Sequence, residues 1–231
     1  MNTYKFWNLS ITMKRAIITG ASEGLGLEIA KVFIERGYEV IGISRTKPSV
    51  EMIHIKADLT KEGDIKNAIS IIKKEFSEFN FLINCAGVLS VKPLNNLDYA
   101  EIEDLFRVNV FAQMKLVSGL LHSIKNNEAD ILNVGSSIGF KAYVEQLAYG
   151  SSKWAVMGIN KNLQLELKNS KCRVIGFNPG GFKSRIHSKA TGKKKNMDAY
   201  MEPRDLAKLM LYLLELPKNM EVSEIIINRK S

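Results

Sequence analysis

The segment Thr19-Gly20-Ala21-Ser22-Glu23-Gly24-Leu25-Gly26 follows an apolar run, Arg15-Ala16-Ile17-Ile18, and opens into a helical pattern through Leu27, Ile29, Ala30 and Phe33. A strand, a glycine turn and a helix in that order form a cradle for a dinucleotide's pyrophosphate. The glycines permit a tight turn, close backbone approach to phosphate, and close packing of helix on strand. The helix then offers unpaired N–H groups and the positive end of its dipole to the phosphates. The spacing is G-x-x-x-G-x-G rather than G-x-G-x-x-G, and no Lys-Ser/Thr pair follows, which disfavours a P-loop nucleotidase.

Outward from this segment, apolar β-branched runs alternate with amphipathic stretches. Val40-Ile41-Gly42-Ile43, Met52-Ile53-His54-Ile55, Phe81-Leu82-Ile83, Ile131-Leu132-Asn133-Val134, Arg173-Val174-Ile175-Gly176-Phe177 and Ile225-Ile226-Ile227 join the first run as seven candidate strands. Helices are expected near 25–36, 61–76, 101–125, 150–168 and 203–215, the last opening at Pro203 and followed by Pro217. This alternation predicts an α/β chain: a single-domain, doubly wound Rossmann fold, with a seven-stranded parallel sheet covered by helices on both faces. Residues 1–12 show no periodicity and read as a disordered lead, with Met13 as an alternative start. The domain then spans 13–231.

The 231 residues are 45% hydrophobic, enough for one large core. Cys85 and Cys172 lie far apart, as do His54, His122 and His187, so neither a disulfide framework nor a metal site is expected. No apolar run approaches the roughly 18 residues that span a bilayer, and the N-terminus lacks a signal-peptide pattern, so a cytoplasmic location is expected. The 33 basic and 24 acidic residues give a formal charge of +9. Part of the excess sits in Lys183, Arg185, Lys189, Lys193, Lys194 and Lys195, a run without an acid. It lacks interleaved aromatics or a nucleic-acid motif, so no nucleic-acid partner is expected. Residues 183–200 read as a mobile basic loop at the carboxyl edge of the sheet, where ligands bind.

The end of the second strand bears on the cofactor. An acid there bonds the ribose 2'-hydroxyl, and a basic residue accommodates a 2'-phosphate. The sequence reads Ile43-Ser44-Arg45, which favours NADP over NAD, although Glu23 in the glycine loop would repel the same phosphate. Farther on, Tyr149-Gly150-Ser151-Ser152-Lys153 places a phenol and an ammonium four residues apart, on one face of a helix. A lysine there favours the phenolate and lowers its pKa from about 10, so that Tyr149 trades protons near neutral pH.

Together these segments resemble the classical short-chain dehydrogenase/reductase family from Lys14 to about Arg229. The likeness rests on "TGASEGLG" at 19–26, "ADL" at 57–59, "NCAG" at 84–87, "VNV" at 108–110, "NVGSS" at 133–137, "YGSSK" at 149–153 and "NPGGFKS" at 178–184. The resemblance implies Tyr149 as general acid/base, Lys153 lowering its pKa and holding the nicotinamide ribose, and Ser136, thirteen residues before Tyr149, hydrogen-bonding the substrate carbonyl. It implies a relay-water role for Asn109, which reads equally as a helix-stabilising amide. As cofactor contacts it implies Gly20, Ser22, Gly24, Leu25 and Gly26; Arg45; Asp58 and Leu59 beside the adenine; Asn84, Ala86 and Gly87; Tyr149 and Lys153; and Pro179, Gly180, Phe182 and Ser184 around the nicotinamide carboxamide. Asn84 reads equally as a strand-end amide satisfying backbone groups.

The expected activity is hydride transfer between NADP(H) and a small carbonyl or secondary alcohol. A 3-oxoacyl-carrier-protein-type reductase and a non-catalytic redox sensor are the alternatives. The intact serine, tyrosine and lysine argue against a sensor, and the lysines of 183–195 read either as a solvated face, the simpler explanation, or as an attraction for an anionic substrate or carrier. The resemblance also implies a homodimer or homotetramer, although the chain stops soon after its last strand, without the longer tail that joins subunits in many relatives.

Overall fold

In the computed structural model, residues 14–194 and 196–230 are described. The expected lead at 1–12, the alternative start at Met13 and Lys195 of the basic run lie outside the described residues. A strand buried on both faces must be apolar throughout, and the seven apolar runs form the sheet. They are β1 (Arg15–Thr19), β2 (Glu39–Ser44), β3 (Ile53–Lys56), β4 (Phe81–Asn84), β5 (Asp130–Val134), β6 (Val174–Pro179) and β7 (Glu224–Ile227). All pair in parallel in the order β3-β2-β1-β4-β5-β6-β7. The chain winds outward from β1 to β3, then returns to place β4 on the other side of β1. That reversal opens a crevice at the carboxyl ends of β1 and β4, where α/β sheets bind ligands.

Helices α1 (Gly24–Glu35), α2 (Glu62–Glu75), α3 (Tyr99–Phe106), α4 (Ala112–Asn126), α5 (Leu147–Glu166), α6 (Ile186–Thr191) and α7 (Pro203–Glu215) follow in chain order. Successive side chains of a strand point to opposite faces, so Ile17 and Ile18 serve different cores although neither is exposed. Ile18 packs in one with Phe33 of α1 and Met210 of α7. Ile17 packs in the other with Ile72 of α2 and Leu116 of α4. Each such side chain contributes about 1.5–3 kcal/mol by leaving water. A buried ion pair fastens the far edge: Asp130 of β5 accepts from Arg173 at 2.8 Å and from Lys218 at 2.6 Å. Arg173 also donates to the carbonyls of Leu214, Leu216, Pro217 and Met220, tying down the segment after α7.

Two expectations change. The single helix near 101–125 is α3 and α4 joined by a π-helical turn, Arg107–Phe111, that holds one residue more than an α turn. Residues 183–200 are not structureless, because they contain α6, which ends at Gly192 with φ +70. The loop is closed at its base where Phe182 pairs with Met201.

Candidate active site

The phosphate loop sits in the crevice. Gly20 N–H donates to Ile43 O at 2.8 Å, which sets the loop against the end of β2. At Gly26 a Cβ would lie 2.2 Å from Gly20 O, so the helix can approach the strand this closely only with glycine there. Gly24 has φ +55 and open space where a Cβ would stand, which leaves the N-terminus of α1 uncovered beside partly exposed Ser22. Leu25 is buried beneath it. Thr19 Oγ1 accepts from the N–H groups of Cys85 and Ala86, both at 3.0 Å, and so bridges β1 to the segment after β4. Leu59, Asn84, Ala86 and Asn109 meet around one small cavity beside Thr19 and Gln113. An open glycine cradle at a helix N-terminus fits a dinucleotide pyrophosphate.

Arg45 lies exposed just beyond β2. Burial pushes the nearby Asp58 carboxyl up, but hydrogen bonds from Thr60 N–H (3.0 Å) and Thr60 Oγ1 (2.9 Å), with Arg45 close by, hold it below the usual range. Asn84 donates through Nδ2 to Asn133 Oδ1 at 2.8 Å, and its Oδ1 has no partner among the described residues. The amide therefore bonds a neighbouring side chain rather than backbone groups, with an acceptor left over.

Tyr149 and Lys153 share one face of α5 at its N-terminal end. Lys153 is 5% exposed, its Nζ donates to Val134 O at 3.0 Å, and it lies 5.9 Å from the centre of the Tyr149 ring. Ser136 caps a short 3-10 turn, Ser137–Gly139, its Oγ accepting from Ile138 N–H at 3.3 Å. The same hydroxyl faces the Tyr149 phenol closely enough to favour its ionised form. Gly87 closes the group, since a Cβ there would stand 3.5 Å from Asn109 Oδ1 and 3.8 Å from Lys153 Nζ.

The protonation states differ from the sequence expectation. Burial pushes the Tyr149 phenol above its ordinary value, opposed only by the Ser136 hydroxyl. Burial likewise pushes the Lys153 ammonium down to about 8. Lys153 is not among the groups that shift Tyr149, whose pKa is raised rather than lowered. Its head group is turned onto the Val134 carbonyl, and both groups have lost the water that stabilises charge. Cys85, beside them, is pushed up to about 12 by burial despite the opposing charge of Lys153.

Asn109 stands in the π turn and is 2% exposed. Its Oδ1 accepts from Val88 N–H at 2.8 Å, and its Nδ2 donates to Val88 O at 2.9 Å and Ser152 Oγ at 3.1 Å. Ser152 Oγ in turn donates to Tyr149 O at 2.7 Å. The amide therefore joins the segment after β4 to the helix turn that carries Tyr149. Sequence reasoning passed over Ser152, Gln113, Asn133 and Asn160. Gln113 Nε2 donates to Asn109 O, and Asn133 Nδ2 donates to Asn160 Oδ1 at 2.7 Å. A usable signal existed on α5, because Ser152 and Asn160 are polar residues at the spacing of its buried face.

Pro179 ends β6, and Gly180 N–H donates to Ile227 O at 2.6 Å. Phe182 forms the base of the basic loop, and Ser184 is partly exposed just beyond it. Three of the loop's cations are committed to acids. Lys183 pairs with Glu202, while Arg185 (2.8 Å) and Lys189 both pair with Glu23 of the phosphate loop. Beside the first turn of α5 lies a cavity of ≈ 640 Å³ whose lining includes Leu94, Ile138, Tyr143, Leu147, Gly150 and Trp154.

The model of the short chain dehydrogenase family matches residues 14–195. The chain belongs to this family of NAD(P)-binding oxidoreductases. It is 26% identical over 230 residues, 94% of its own length and 97% of the relative's, to a Staphylococcus aureus (strain MRSA252) protein described as an uncharacterized oxidoreductase. Its fold superimposes with a TM-score of 0.84 on an alcohol dehydrogenase from the archaeon Thermococcus sibiricus complexed with 5-hydroxy-NADP, at 23% identity, covering 93% and 96% of the two chains. A 4-hydroxyisoleucine dehydrogenase complexed with NADH superimposes at 0.83, also at 23% identity, with 94% and 97% covered. Among the described residues, no helix is long and apolar enough to cross a membrane, and no group of three or more His, Cys, Asp or Glu could hold a metal ion.

Proposed function

We propose that the protein is an NADP(H)-dependent reductase or dehydrogenase acting on a small carbonyl or secondary alcohol, with Tyr149 as its general acid/base. The observation that carries this reading is the convergence of Ser136, Tyr149 and Lys153 beside the end of the crevice. When bound, a nicotinamide supplies or accepts the hydride. In the reductive direction negative charge grows on the substrate oxygen, and the hydroxyls of Ser136 and Tyr149 donate to it. Both bonds strengthen as charge develops, so they favour the transition state over the ground state. Tyr149 then gives up its proton, and protonated Lys153 stabilises the phenolate left behind. Asn109, through Ser152, holds that turn of α5 in place.

NADP rather than NAD is supported by Arg45 and by the absence of an acid at the end of β2. The apolar cavity beside α5 suits the body of the substrate, because its walls include Ile138 and Gly150, neighbours of Ser136 and Tyr149. A 3-oxoacyl-carrier substrate is less favoured, since Lys183, Arg185 and Lys189 are spent on internal pairs. Exposed Phe111, Met114 and Leu121 near or on α4, and Trp154 and Leu165 on α5, support a homodimer through these helices. A monomer mass by light scattering at micromolar concentration would contradict the dimer.

The decisive experiment follows NADPH and NADH oxidation at about 340 nm (an ordinary nicotinamide readout) against aldehydes, ketones, diketones and 3-oxoacyl thioesters. Tyr149→Phe should abolish turnover while dinucleotide binding persists; retained turnover removes Tyr149 from the acid/base role.

A further inference from the structure

Residues 181–192, which include α6, leave the end of β6 and cross to the phosphate loop. The base of this segment is fastened by the Phe182–Met201 pairing and by the ion pair of Lys183 with Glu202. Its far end meets Glu23, with one cation on each carboxylate oxygen: Arg185 Nη2 donates to Oε2 at 2.8 Å, and Lys189 Nζ pairs with Oε1. Glu23 immediately precedes α1 at the capping position, yet its side chain makes no cap hydrogen bond to the helix. The carboxylate is given to the loop instead. The Lys189 hydrogen bond, aided by Arg185 against a smaller effect of burial, holds it below the usual carboxylate range.

Each of these pairs is largely exposed, and such a pair alone is weak. Their position gives them consequence. Glu23 adjoins the open face of Gly24, and Gly20 brings this loop against the end of β2, just before Arg45. A bare carboxylate here repels phosphate. With two cations on one anion, the cluster presents a net positive charge.

We propose that Glu23, Arg185 and Lys189 form an electrostatic clasp that closes residues 181–192 over the phosphate loop and masks Glu23, so that the cleft accepts the additional phosphate of NADP(H). The masking half rests on the dinucleotide reading above; the closing half does not. Selection of the nucleotide is then made partly by a segment more than 160 residues away in sequence.

Two measurements test the clasp. In nucleotide-free protein at low salt, limited tryptic cleavage at Lys193 and Lys194, followed by mass spectrometry, should run severalfold faster in Glu23→Gln than in the unaltered chain. An unchanged rate overturns closure. In titration calorimetry, the double variant Arg185→Gln/Lys189→Gln should lose about fivefold more affinity for NADP+ than for NAD+ at low ionic strength. Adding Glu23→Gln should restore the preference, and the whole effect should shrink at about 0.5 M salt. Equal loss for both nucleotides, or no restoration, overturns masking. An unaltered chain that binds neither nucleotide overturns the dinucleotide reading, and the cleavage result then still decides closure.

Discussion

Lys153 carries the strongest electrostatic demand in the site, since its ammonium is nearly sealed from water with a single carbonyl to receive it. Its pKa near 8 in the folded chain compares with about 10.4 for an exposed lysine. Between those values the unfolded chain holds a proton that the folded chain does not. The contribution of Lys153 to stability is therefore fully present above the unfolded value and is lost as pH falls toward about 8. An NMR titration of the cofactor-free protein with labelled lysine side chains should show one lysine changing near pH 8, absent in Lys153→Met; its titration with the bulk lysines would refute the assignment. Tyr149 and Lys153 were legible as a pair because four residues set them on one helix face, whereas Ser136 was singled out only through the family resemblance. The protonation of the pair was not legible, because it depends on how much water the surrounding elements exclude.

Among the elements, the π turn does the most positioning for its length. The extra residue places Asn109 against both backbone groups of Val88. Asn109→Leu keeps the size but strands that N–H and C=O in a partly buried place, which should cost about 1–3 kcal/mol. Urea unfolding reads this directly, and an unshifted midpoint would show that water takes over the bonds. The strands were legible to within a residue or two, since β1, β2 and β4 have unbroken apolar centres in a sheet covered on both faces, with polar residues only at their ends. Arg107–Phe111 was not, because its residue types suit an α turn equally well and the added residue leaves no mark on the pattern. Residues 183–200 were misread for a different reason. What holds Arg185 and Lys189 is Glu23, a contact across the molecule that local periodicity does not contain.

Across the whole molecule, the two cores hold the helices to the sheet, while Asp130 with Arg173 and Lys218 holds the β5–β6 edge to the end of α7. Removing one partner of a buried pair leaves the other uncompensated. Asp130→Ala should therefore lose about 3–5 kcal/mol and lower Tm by roughly 10 °C. A thermal melt within 2 °C of the unaltered chain (about the shift expected of 0.5–1 kcal/mol) would mean that Arg173 is satisfied by its carbonyls alone. Both residues were visible in the sequence, but nothing linked them. The pair also bears on synthesis at the ribosome. The partners of Asp130 emerge 43 and 88 residues after it. Strands β1 to β4 contain nothing that waits on them, whereas β5 would enter the sheet with a naked charge. The Asp130 cluster is thus completed only when Lys218 has left the ribosome, near the end of translation, and the same late segment brings α7 to the core that β1 and α1 have been holding open.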